Sequence, residues 1–125
     1  MKSKETAEYP DLHQEHREWL SQLDFYQEEI RIFQTELSQV INQHPDLLSI
    51  IEHVDEYRLI LQRKQAHIDE FRNRITGHDQ SLAEQEDDAG GFTALHESMR
   101  SELEQFRQDL ESFKRTFRRF VAYND

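Results

Sequence analysis

Residues 12–40, LHQEHREWLSQLDFYQEEIRIFQTELSQV, decide the fold. Leu12, His16, Trp19, Leu23, Tyr26, Ile30, Phe33, Leu37 and Val40 recur there at alternating steps of four and three. That spacing is a heptad seam on a helix of about 30 residues, about 45 Å long at 1.5 Å per residue. Leu20, Ile32 and Ile41 widen the stripe beyond a two-chain seam. A wide stripe asks for two neighbouring helices rather than one.

The flanks agree. Residues 1–10 are polar, lack a period and end in Tyr9-Pro10, which reads as a tail. Pro10 and Asp11 suit the first turn of a helix over 11–43. His44-Pro45 then stops the helix, because the residue before proline is pushed out of the α region. A second helix over 46–85, turned back antiparallel, carries Ile50, Val54, Tyr57, Leu61, Lys64, Ile68, Phe71 and Ile75 at the same spacing. Gly77 is a candidate C-cap, but His78 and Leu82 continue the seam in step, so the helix is expected to run through it. Asp87-Asp88-Ala89-Gly90-Gly91 reads as the second turn and Thr93 as the cap of a third helix over 93–122. Its seam is Leu95, Met99, Leu103, Phe106, Leu110, Phe113, Phe117 and Phe120, with a stutter of two steps of four at its start. The expectation is one all-α domain, an up-down-up antiparallel three-helix bundle.

Composition supports this. The chain has 125 residues, 35% hydrophobic and 33% charged, with three Gly and two Pro. That balance suits amphipathic helices and is poor for a turn-rich β fold. Eight Phe, four Tyr and one Trp, mostly in register, argue against disorder. Without cysteine there is no disulfide, thiolate catalysis or Cys-ligated metal. No apolar run follows Met1-Lys2-Ser3-Lys4-Glu5, and none is long enough to span a membrane, so a cytoplasmic location is expected. The net charge of −11 opposes nucleic-acid binding and admits a basic protein partner.

These lengths leave the third helix about 10 residues short of the His44-Pro45 turn. Val40, Ile41, Leu47, Leu48 and Ile51 would then be an uncovered apolar tip, and a homodimer sharing these tips is expected.

Four histidines carry the only candidate chemistry. Folding the bundle brings His13, His16, His78 and His96 toward one end, near Glu15 and Asp79. Imidazoles from several helices beside carboxylates suit a metal. Seam histidines that merely fill a frayed end are the simpler explanation. The Glu-x-x-His pattern of ferritin-like bundles and the His-x-x-x-Glu and His-x-x-x-His pairs of hemerythrin-like bundles do not occur. No nucleophile with a base and no phosphate loop occurs either, so an enzyme is not expected. Phe106, Phe113, Phe117 and Phe120 read as core. Lys114-Arg115-Thr116-Phe117-Arg118-Arg119-Phe120 reads as cations suited to a helix C-terminus rather than as a phosphate or membrane site.

The block Leu12-His13-Gln14-Glu15-His16-Arg17-Glu18-Trp19-Leu20, with Leu23, Phe25-Tyr26 and Glu29-Ile30, resembles the opening of a family of small, uncharacterised bacterial helical proteins. The resemblance implies a helical bundle and brings no activity, cofactor or site residue. The leading expectation is therefore a non-enzymatic interaction or scaffold protein, homodimeric and without cofactor. The alternative is a metal- or small-ligand-binding bundle built on the histidine cluster.

Overall fold

A computed structural model describes the backbone of residues 9–84 and 89–124, and the side chains of residues 11–80 and 94–124. Three long helices make up the fold: α1 (Tyr9–Gln43), α2 (Leu48–Glu84) and α3 (Ala89–Asn124). No strand occurs among the described residues. The helices form the expected up-down-up bundle, in which α1 packs against both α2 and α3. None is long and apolar enough to cross a membrane.

Every seam position of α1 is buried, from Leu12 to Val40. In α2 the buried positions are Ile50, Val54, Leu61, Ile68, Phe71, Ile75 and His78. Tyr57 and Lys64 are half-buried, and the Lys64 ammonium lies 5.8 and 5.6 Å from the Phe106 and Phe113 ring centres. Phe106, Phe113, Phe117 and Phe120 of α3 pack in the core: Phe117 is fully buried, 5.0 Å from Phe33 and 5.3 Å from Tyr57 between ring centres. Edge and tilted ring pairs of this kind add to simple burial. In the basic run at the end of α3, Lys114 pairs with Glu29 at 2.8 Å and Arg118 lies over Phe33.

Several boundaries differ from the sequence reading. Tyr9 and Pro10 already belong to α1, while residues 1–8 lie outside the description. Pro45 and Asp46 form a turn instead of starting a helix, and α2 begins at Leu48. Gly77 is inside α2, as expected. Gly90, Gly91 and Thr93 are inside α3 rather than before it; Asp87 and Asp88 lie outside the described residues. Glycines cost a helix least in its first turn, where few intrahelical bonds are at stake.

One correction concerns the seam of α3. Leu95 is 51% exposed and His96 takes its place in the core. The buried or half-buried positions then run His96, Met99, Leu103, Phe106, Leu110, Phe113, Phe117 and Phe120, alternating steps of three and four with no stutter.

A second correction concerns the far end. By starting at Ala89, α3 gains enough length to reach the first turn, and His44 Nε2 donates to the Asn124 carbonyl at 2.8 Å. That bond satisfies a carbonyl the helix C-terminus would leave open. The expected 10-residue shortfall is absent. Val40 is buried inside the bundle and Ile41 and Ile51 are half-buried, whereas Leu47 and Leu48 are 52% and 68% exposed.

Candidate metal centre

The other end of the bundle carries the only three polar or charged residues that are buried among those described: His16, His78 and His96. Each helix supplies one. His16 occupies an α1 seam position between Leu12 and Trp19, His78 follows Ile75 on the α2 seam, and His96 precedes Met99 on α3. Register brings them level. His16 Nε2 lies 3.2 Å from His78 Nδ1 and 3.2 Å from His96 Nδ1. One ring nitrogen from each of the three falls within 4.8 Å of the others.

Carboxylates hold the outer nitrogens. Asp79 Oδ1 lies 2.7 Å from His16 Nδ1 and 2.9 Å from His13 Nδ1. Glu15 Oε1 lies 2.8 Å from His96 Nε2, and Arg100 grips the same carboxylate at 2.7 and 2.8 Å. The Arg100 guanidinium, against the opposing effect of burial and with help from His96, brings the Glu15 pKa down to about 2. Burial pushes the Asp79 carboxyl up, but hydrogen bonds from His16 and His13 outweigh it and hold the group below its usual value. Both acids are therefore ionised near neutral pH and only accept. The imidazole nitrogens facing them must carry the hydrogens.

That assignment fixes the inner nitrogens. A neutral His16 protonated at Nδ1 has a bare lone pair at Nε2, and a neutral His96 protonated at Nε2 has one at Nδ1. His16 Nε2 and His96 Nδ1 face each other at 3.2 Å. Burial lowers the His96 pKa, more than Glu15 raises it, which disfavours a second proton on that ring. Two imidazole nitrogens this close need a proton or a metal ion between them. For Zn–N bonds of about 2.0–2.1 Å, the edge of a tetrahedron is about 3.3–3.4 Å and that of an octahedron about 2.9 Å. The His16–His78 and His16–His96 separations lie between these values, and the trio as a whole stays within 4.8 Å.

Trp19 closes the inner side. Its indole stacks on His96 with ring centres 4.7 Å apart and planes at 27°. It also lies 5.4 Å from the His16 ring.

Of the four histidines singled out by sequence, three converge. His13 does not join them: its ring is 40% exposed and meets the outside of Asp79. Sequence reasoning placed Glu15 and Asp79 nearby, put Trp19 on the α1 seam, and missed Arg100. A register offset of about 80 residues between the parallel helices α1 and α3, as in the His16–His96 and His44–Asn124 pairs, is the signal that finds them.

Comparison of the chain with protein-family models, curated proteins and solved structures gave no significant match. The reading of this centre rests on its geometry.

Proposed function

We propose that this protein is a helical bundle that binds a divalent transition metal through His16, His78 and His96. A non-catalytic binding role fits best, since no nucleophile–base pair accompanies the trio among the described residues. The observation that carries the reading is the convergence of His16 Nε2 on His78 Nδ1 and His96 Nδ1, each 3.2 Å away, with the outer nitrogens of His16 and His96 held by carboxylates. Carboxylate–histidine–metal relays of this type fix the ring tautomer and raise ligand basicity. An all-imidazole donor set suits Zn²⁺, Ni²⁺, Co²⁺ or Cu²⁺ and not Ca²⁺ or Mg²⁺. Asp79 and Glu15 would orient the ligands, and His13 and Arg100 would hold those two acids.

Calorimetric titration of the metal-free chain with Zn²⁺ and Ni²⁺ tests this. The expected result is one ion per chain, with binding lost in His16→Gln. Asp79→Asn, which keeps the three ligands but weakens the support, should cost about 10- to 100-fold in affinity. Absence of heat and of retained metal in a chain that is helical by circular dichroism would reject the proposal.

A second reading is favoured by the exposed pair Leu47 and Leu48 at the opposite end. Apolar residues there suit self-association as a homodimer, independent of metal. Sedimentation of the wild type against Leu48→Glu separates a dimer from a monomer.

A further inference from the structure

Lys64 puts an amine into a row of apolar and aromatic side chains. Ile50, Tyr57, Lys64, Phe71 and His78 follow one another on α2 at steps of seven and so share one face of the helix. Ile50, Phe71 and His78 are buried, and Tyr57 and Lys64 are half-buried. Rings of α3 meet the middle of that row. Tyr57 lies 5.8 Å from Phe113 and 4.9 Å from Phe120 between ring centres. The Lys64 ammonium lies 5.6 Å from the Phe113 ring centre and 5.8 Å from that of Phe106. The position is roughly 20 Å along α2 from His78, so it does not depend on the metal-binding reading.

What this amine lacks is an anion. Among the described residues it makes no hydrogen bond and no ion pair. The other described lysine, Lys114, is half-buried too, but Glu29 holds its ammonium at 2.8 Å. An ion-paired ammonium has no lone pair to offer, whereas a ring face holds a cation only weakly at a partly exposed site. Burial lowers the Lys64 pKa, against the smaller opposing pull of Asp109. That raises the share of neutral amine near neutral pH, and the neutral amine is the nucleophile.

We propose that Lys64 is a modification site, acylated by small acyl phosphates in preference to Lys114, and that the fold reads the product as a neutral side chain in the seam between α2 and α3. The neutral Nζ attacks the acyl carbon. A C–N bond forms, the C–O bond to phosphate breaks, inorganic phosphate leaves with the electron pair, and the extra proton on nitrogen passes to water. The amide carries no charge, so acylation removes the cost of holding a cation in the seam.

The test treats the full chain with acetyl phosphate at neutral pH and reads Lys64 and Lys114 by mass spectrometry after digestion, once for the folded chain and once in guanidinium chloride. The expected result is acetylation several-fold faster at Lys64 than at Lys114 in the folded chain, with the two rates converging in denaturant. A folded Lys64 that reacts no faster than Lys114, or a preference that persists in denaturant, would overturn the proposal. Thermal melts read the effect on the fold. The acetylated wild type should melt above the untreated one, whereas Lys64→Arg, which keeps the charge and offers no amine, should show no such rise. No rise in the wild type, or an equal rise in Lys64→Arg, would overturn the part assigned to the seam.

Discussion

His16 is a core residue, and its burial is tolerable because Asp79 accepts from its Nδ1. The same device recurs away from the histidine trio. Glu102 on α3 accepts from Arg74 and from His67 Nε2 at 2.9 Å, both on α2. The Arg74 hydrogen bond, opposed by burial and helped by His67, holds the Glu102 carboxyl below its ordinary 4.5. A carboxylate whose folded-state pKa is depressed contributes stability that is complete above the unfolded value and lost as pH falls through the folded one. Glu102→Gln is therefore expected to lower stability by about 1 kcal/mol at neutral pH, the scale of a partly exposed pair. The gap between variant and wild type should close as pH drops from 4.5 through the lowered Glu102 value. Thermal melts of both chains across that range check it, and a gap independent of pH would place the effect elsewhere.

The helices α1 and α2 were readable because their seams are built of residues whose hydropathy and spacing agree. The α3 seam misled at one step for a chemical reason. Between adjacent Leu95 and His96, hydropathy chooses the leucine, but an imidazole with a carboxylate on one nitrogen and ring neighbours on the other can be buried. The two turns displaced the rest. α2 starts at Leu48 instead of Asp46, and His16 comes level with His78 and Asp79. With α3 starting at Ala89, His96 comes level with His16 and His78, and the same register covers the far end. Three of the four histidines were thus legible as a cluster, while their pairing required a register that turn residues alone could not supply. Gly77 offers a clean test of α2's continuity. It lies inside the helix, and a Cβ built there meets nothing within 4 Å. Gly77→Ala should stabilise the chain by about 0.5–1 kcal/mol, chiefly by removing freedom from the unfolded state. Gly77→Pro should cost about 3 kcal/mol or more. Denaturant unfolding measures both, and a destabilising alanine would mean that the helix does not pass continuously through this position.

Three helices of 35, 37 and 36 residues form a long, thin bundle whose two ends are closed differently. The proline turn and the His44–Asn124 bond hold one end with groups the chain always carries. At the other end, each helix contributes one imidazole, so a metal there joins all three at once. Binding to the folded chain and not to the unfolded one adds about 2.7 kcal/mol at a free metal concentration 100 times Kd. For a domain of this length that is a rise in Tm on the order of 10 °C. Zn²⁺ should produce such a rise, a chelator should reverse it, and His96→Gln should melt at the same temperature with and without the ion. A trio that only fills space would give no metal-dependent shift in the wild type. Replacing His16, His78 and His96 together by leucine separates the two roles further. Apolar side chains of similar size remove the facing imidazole nitrogens from the core, so the metal-free triple variant should melt above the metal-free wild type while losing all response to Zn²⁺. A triple variant that melts below the metal-free wild type would instead mean that the imidazole–carboxylate network stabilises the bundle without an ion.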